Sequence, residues 1–178
     1  MAKKVSFSGE NLSLADAALH HNDTDGALTL FFSTVSPSYP VRFAGYKPEE
    51  VRKELGNRRA ELDRNTTMSL LAAVEAAFRI DYLQRCYQRK KDGVSRQFWE
   101  IYKEKGSRAS LEDEIFEVWR TNTPGSNKLI SDLRGAFKFR HWMAHGRYWT
   151  PKLGQKYDYL SIYPLALQTL SSFPLMDP

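Results

Sequence analysis

A single cysteine, Cys86, occurs in the 178 residues, which excludes an intrachain disulfide and any cysteine-clustered zinc or iron site. Long apolar runs are missing too. The longest, Ala27 to Phe32 with Thr29 inside it, falls far short of the roughly 18 residues a membrane helix requires. Met1 to Ser8 carries Lys3 and Lys4 but no apolar stretch follows, so no secretory leader is expected. Gly-rich phosphate loops, nucleophile arrangements built on Ser, Cys or a carboxylate, internal repeats and low-complexity tracts are all absent from the sequence. Between Leu133 and Tyr157 there is no acidic residue. The expectation is a cytoplasmic protein without membrane contact, cofactor or resident metal. Its 42% hydrophobic content suffices for one packed core.

What is present is positive charge, unevenly spread. The formal balance is +5, but Arg134 to Lys156 holds Arg134, Lys138, Arg140, Arg147, Lys152 and Lys156 together with His141 and His145. Arg79 to Arg108 carries nine Lys or Arg against four acids, whereas Leu111 to Arg120 is acidic through Glu112, Asp113, Glu114 and Glu117. Cations gathered in this way suit a polyanion.

Helix signals dominate from Lys47 onward. Pro48 with Glu49 and Glu50 opens a helix to about Arg64, and Asn65, Thr66 and Thr67 read as the cap of a second helix, Met68 to about Lys91, stopped by Asp92-Gly93. Shorter helices are expected at Ser95 to Lys105 and from Ser110 to about Arg120. Ser126 reads as the cap of a helix from Asn127 to about His145, closed by Gly146, and a last amphipathic segment spans Tyr159 to Phe173. The expected fold is all-α, an antiparallel bundle of about five to six helices over residues 47–178. Residues 1–46 are read as an N-terminal extension whose structure the sequence does not decide: His20 to Gly26 and Ser36 to Pro40 are turn-rich, and Ala27 to Val35 fits a strand or a short buried helix.

On a wheel of about 100° per residue, the Asn127 to His145 helix places Leu129, Ile130, Leu133, Ala136, Phe137, Met143 and Ala144 on one stripe with Arg140 in its middle. A guanidinium on a core-facing stripe needs a charge partner or a task. His141, Arg134, His145 and Lys138 gather along one edge within about 60° of arc, a cationic edge holding two imidazoles able to move protons. Phe139 and Trp142 fall on the far side, where exposed aromatics suggest a subunit interface or stacking on bases.

The segment Phe139 to Trp149 (FRHWMAHGRYW) resembles the HEPN superfamily, whose signature is an arginine, four to six residues and a histidine near a helix end. Arg140 and His145 fit that spacing, and His141 supplies the polar residue preferred after the arginine. The resemblance spans Met68 to about Phe173 in architecture and Arg140 to Gly146 in motif. It implies a metal-independent endoribonuclease, often a toxin of a toxin-antitoxin pair or an antiviral defence effector, acting as a homodimer whose two motif helices face one cleft. In that setting a histidine moves the ribose 2′-OH or leaving-oxygen proton and an arginine stabilises phosphoryl charge. By this resemblance His145 is the acid/base, Arg140 the phosphate ligand and His141 an assisting donor. Arg134, Lys138, Arg147, Tyr148 and Lys152 line the RNA path. The expected partners are RNA, a second copy, and an antitoxin or defence-complex protein. One toxin subgroup carries a tyrosine two residues after the histidine; here Arg147 holds that place and Tyr148 follows. The same motif also fits a noncatalytic module that binds nucleic acid or a partner.

Two further readings concern charge. His141 and His145 share a helical face at metal-ligand spacing, but a hydrolytic His-Glu-x-x-His site would need Glu where Trp142 stands. His20 and His21 read as solvated polar residues. On the Met68 to Lys91 helix, the stripe of Met68, Leu71, Val74, Phe78, Tyr82 and Cys86 includes Glu75 with Arg79 at its edge. Glu75 therefore has two candidate partners, Arg140 across the bundle or Arg79 one turn along.

Overall fold

A computed structural model describes residues 4–176. Seven α-helices, and no strand among the described residues, build it: α1 Leu14–Phe31, α2 Tyr39–Arg42, α3 Pro48–Tyr87, α4 Gly93–Lys105, α5 Phe116–Asn122, α6 Asn127–Ala144 and α7 Tyr159–Ser172. No described helix is long and apolar enough to cross a membrane.

The mast of the fold is α3, whose 40 residues span about 60 Å. The expected break at Asn65 to Thr67 does not occur. Thr66 and Thr67 are buried, and packing on both sides of them outweighs their modest preference for a cap. Consequently residues 47–176 hold five α-helices, at the lower end of the expected five to six. The helix starts as expected, with Pro48 in its first turn and the Glu50 carboxylate accepting from the Lys47 N–H at 2.8 Å. Its buried stripe comprises Leu71, Val74, Phe78, Tyr82 and Cys86, joined by Leu70 and Leu83.

The segment read as turn-rich, His20 to Gly26, is helical, and two of its polar side chains, His21 and Asp25, are held by α3. His21 lies 2.9 Å from Asp63, and Arg59 donates to Asp25 at 2.6 Å. Partners that descend on one helix as they rise on the other fix an antiparallel register. His21 is accordingly not solvated: its ring stacks on Tyr159 at 3.9 Å. Leu14 and Ala17 enter the main core, whereas Phe32, Phe43 and Val51 form a small separate cluster at the α1–α2 end. Leu30 and Phe31, inside the stretch that fitted a buried element, are exposed.

Beyond α4 the chain makes one 3-10 turn, then a single π turn over Leu111–Ile115 that leads directly into α5. Ser110 caps it, its hydroxyl accepting from the Asp113 N–H at 3.2 Å, while the Glu114 carboxylate accepts from the Ser110 N–H at 2.6 Å. The core centres on Phe78, Phe98, Ile115, Phe116, Trp119, Ile130, Leu133 and Ile162, all essentially inaccessible. Each such side chain contributes roughly 1.5–3 kcal/mol of burial.

A pair of charges that the sequence did not single out lies within this core. Asp81 is wholly buried; it accepts from Arg85 Nε at 2.6 Å, from Trp119 Nε1 at 3.2 Å and from the Met176 N–H at 3.0 Å. Arg85 donates further to the Pro174 carbonyl at 2.8 Å. Burial pushes the Asp81 carboxyl above its ordinary range, against the pull of Arg85 and the two N–H donors. The network pins the segment after α7 to the mast.

Candidate functional site

Helix α6 runs antiparallel to α3, which two ion pairs establish: Arg140 meets Glu75, and Arg147 meets Glu61. Ser126 stands at its N-cap, but the Ser126 hydroxyl donates to the Thr123 carbonyl at 2.8 Å and caps nothing. Its C-terminus closes in a Schellman arrangement, with the Gly146 N–H donating to Met143 and the Arg147 N–H to Trp142. Gly146 at φ 80° is the residue this reversal favours. Arg147 follows in the same left-handed region at φ 60°, a less comfortable state for a side chain, held by its 2.7 Å hydrogen bond to Glu61.

Both candidate partners of Glu75 are used. Arg79 Nε donates to Oε1 at 2.7 Å, and Arg140 Nη2 lies 2.9 Å from Oε2. The second approach is too oblique for a hydrogen bond, so Glu75 Oε2 and Arg140 Nε are buried without hydrogen-bond partners. One carboxylate between two guanidinium groups leaves this cluster a net charge of about +1. The Arg140 side chain keeps one third of its surface.

His141 and His145 are both exposed, their ring centroids 4.2 Å apart, and Trp149 lies 6.1 and 6.4 Å from them. Tyr148, fully outside the core, meets Trp149 edge-on at 4.7 Å. Of the cations expected along an RNA path, Lys138 and Lys152 are exposed. Arg134 is instead engaged by the acidic π turn and α5, donating to the Glu112 carbonyl at 2.8 Å and to Glu117 at 3.2 Å. Arg120 and Arg134 together hold the Glu117 carboxyl down at about 2. Arg147, as noted, is tied to α3.

The expected exposed aromatics are covered. Phe139 is buried, 5.8 Å from Tyr157, and Trp142 Nε1 donates to the Trp149 carbonyl at 2.7 Å. The reason is the strap between α6 and α7, residues 146–157, which folds back across that face of α6. Gly135 permits the approach: a Cβ there would stand 2.2 Å from the Tyr157 hydroxyl. Phe139 therefore belongs to the core, and Trp142 is partly buried against it.

One acid was missed. Glu112, on the π turn, is half-buried beside α6; burial pushes its carboxyl above the ordinary range and Asp113 adds to this, while Arg134, Lys138 and His141 pull it back. The gap of acids in Leu133 to Tyr157 is thus filled through space from Leu111 to Arg120, a juxtaposition without any local sequence signal. Among the described residues no three His, Cys, Asp or Glu side chains converge in metal-binding geometry. The site presents two accessible imidazoles, a guanidinium cluster about one-third accessible, two exposed lysines and an aromatic wall. Compared with known proteins, the chain matches no family model, no curated protein and no solved structure.

Proposed function

We propose that the protein is a HEPN-type, metal-independent endoribonuclease whose reacting groups stand at the C-terminal end of α6. The observation that carries this reading is the contact between two exposed imidazoles, His141 and His145, one residue and five residues beyond a guanidinium that retains surface. Exposed histidines in contact are suited to passing protons near neutral pH. In the proposed reaction neutral His145 takes the ribose 2′-OH proton as O2′ attacks phosphorus. The bond from phosphorus to the 5′-oxygen breaks, and protonated His141 gives its proton to that leaving oxygen. The products are a 2′,3′-cyclic phosphate and a 5′-hydroxyl, with no other reactant consumed. Arg140 stabilises charge on the non-bridging oxygens, Lys138 and Lys152 attract the strand, and Tyr148 offers a face to a base.

The composite homodimer remains part of this proposal on charge and chemistry alone: a second copy across α6 would double the imidazoles and guanidinium groups around one phosphate. Mixing Arg140→Ala protein with wild type tests it, since a shared site loses activity more steeply than the wild-type fraction falls.

The second reading, a noncatalytic HEPN-like module that binds nucleic acid or a partner, is favoured by the pairing of Arg140 with Glu75 inside the bundle. One assay separates the two. Purified protein should cut a mixed single-stranded RNA in EDTA, leave cyclic phosphate ends and spare DNA, which lacks the attacking hydroxyl. His145→Ala, at an exposed position, should abolish cleavage with unchanged helix content. RNA binding without cleavage selects the module, whereas cleavage unaffected by His145→Ala removes His145 from the reacting groups.

A further inference from the structure

Apart from Arg79, which holds Glu75, the basic run Arg79 to Arg108 plays no part in the α6 site, yet the fold gathers its centre into one corner. Where α3 ends and α4 begins, two clefts of about 480 and 330 Å³ share a wall made by Arg89 and Trp99. Arg147 pairs with Glu61 and Arg140 with Glu75, so the histidines lie over the middle of α3. At 1.5 Å per residue this corner is on the order of 20–30 Å further along the mast.

Arg89, Lys90, Lys91 and Arg96 are all exposed and have no ion-pair partner among the described residues. Glu100 is the one carboxylate lining either cleft, and it is paired with Lys103 at 2.5 Å. Arg85, at the floor, is committed to Asp81 and Asp92. Aromatic faces interleave with these charges: Trp99 stacks on Tyr102 at 5.8 Å and 19°, the Arg89 guanidinium lies 5.7 Å from the Trp99 ring, and Lys4 Nζ stands 5.0 Å from that of Tyr87. Arg89 itself ends α3 in the left-handed region at φ 49°, a position that glycine would occupy without strain. The turn thereby keeps a guanidinium over the indole where a smaller residue would relax the backbone.

We propose that this corner is a second, noncatalytic binding site for single-stranded RNA, with a base laid against Trp99 and the flanking phosphates held by Arg89, Lys90, Lys91 and Arg96. Unpaired cations along a concave path supply sequence-independent attraction, and an accessible aromatic wall supplies stacking; single-strand binding grooves combine the same two elements. A bilayer is too flat to enter the clefts, and their cationic rim lacks the apolar face that insertion requires. The proposal does not rest on the chemistry assigned to His145, because a strand can be held here whether or not it is cut at α6.

The test uses the full chain and a fluorescent 2′-O-methyl single-stranded RNA of about 12 nucleotides, which has no free 2′-OH and cannot be cleaved. Lys90→Glu with Lys91→Glu should weaken binding at least about ten-fold and reduce the slope of log affinity against log salt by about 1.4, or about 0.7 for each lost phosphate contact. The control is Arg52→Glu with Lys53→Glu, the same charge change at exposed positions near the other end of α3, which should leave both quantities nearly unchanged. Trp99→Leu should weaken binding several-fold without altering the salt slope. Equal losses in the two charge-reversed proteins would make the attraction a general effect of net charge, and undiminished binding by Lys90→Glu with Lys91→Glu would remove the site. Tighter binding to vesicles of anionic lipid than to RNA, lost in the same variant, would reassign the corner to a membrane surface. Cleavage retained in His145→Ala, with RNA binding lost in Lys90→Glu with Lys91→Glu, would fail the catalytic reading and leave this one standing.

Discussion

Among the carboxylates of helix α3 that hold arginines, Asp81 and Glu75 are treated differently. At Asp81 the carboxylate is inaccessible, receives three donors, and its Arg85 partner reaches on to a carbonyl of the C-terminal segment. At Glu75 the same kind of pair is partly open: Arg140 keeps a third of its surface, and one atom on each side lacks a hydrogen-bond partner. A buried charge pair is tolerable when every lone pair and proton is used, and it then acts as a structural joint. Where satisfaction is incomplete and solvent is near, the guanidinium has bonding capacity left for another anion. Proximity of opposite charges alone therefore does not distinguish a structural arginine from a functional one; the remaining donors do.

The comparison breaks most visibly at Asp81. Asp81→Ala would take from Arg85 its one buried carboxylate, leaving it the half-exposed Asp92, and release the donors of Trp119 and Met176, so a loss of about 3–5 kcal/mol in denaturant unfolding is expected. A smaller loss would mean that water reaches this network. Gly135→Ala tests the strap that keeps Phe139 and Trp142 inside: its methyl must displace Tyr157, at about 1–3 kcal/mol, with increased Trp142 exposure to a fluorescence quencher.

At the open pair the balance of effects reverses. Arg140→Ala should lower stability by only about 1 kcal/mol, because the guanidinium is partly solvated and Glu75 retains Arg79, while RNA cleavage falls by two orders of magnitude or more, as expected for a lost oxyanion donor (about 10²–10³). Stability loss as large as that of Asp81→Ala, with cleavage retained, would place Arg140 in the same structural class as Arg85.

The smallest effect concerns the strap's tether. The Arg147 hydrogen bond holds the Glu61 carboxyl below its usual 4.5, with Arg64 contributing. The folded value is depressed, so this stabilisation is complete above about pH 4.5 and is lost as pH falls through the lowered value. Amide exchange around Gly146 and Arg147 should accelerate in that acidic window relative to its trend above it, and Glu61→Gln should remove the effect.

Much of the helical framework was legible because it rests on local rules. Pro48 followed by acids and Gly146 after the last turn of α6 mark boundaries through backbone dihedrals and orphan N–H and C=O groups, which depend on near neighbours, whereas Asp92-Gly93, read as the stop of the second helix, opens α4 with Asp92 as its cap, and α3 already ends at Tyr87. The false break at Asn65 to Thr67 and the turn-rich reading of His20 to Gly26 failed for one reason. Local capping tendencies of a few tenths of a kcal/mol to about 1 kcal/mol were outweighed by contacts between α1 and α3 that lie about 40 residues apart in the chain.

For the site, the sequence by itself placed Arg140, His141 and His145 on one short stretch of helix ending at Gly146, since helical period and the glycine stop are sufficient for that. It also supplied Glu75 with two possible partners but no means of choosing between them. Only the tertiary structure decided that Glu75 holds both arginines, that Arg134 and Arg147 are tied to Glu117 and Glu61, that the Glu112 turn lies against α6, and that the strap buries Phe139 and partly covers Trp142. Those outcomes depend on which distant charge reaches a given side chain first and on which surface a loop covers, and neither is encoded in the spacing along one helix.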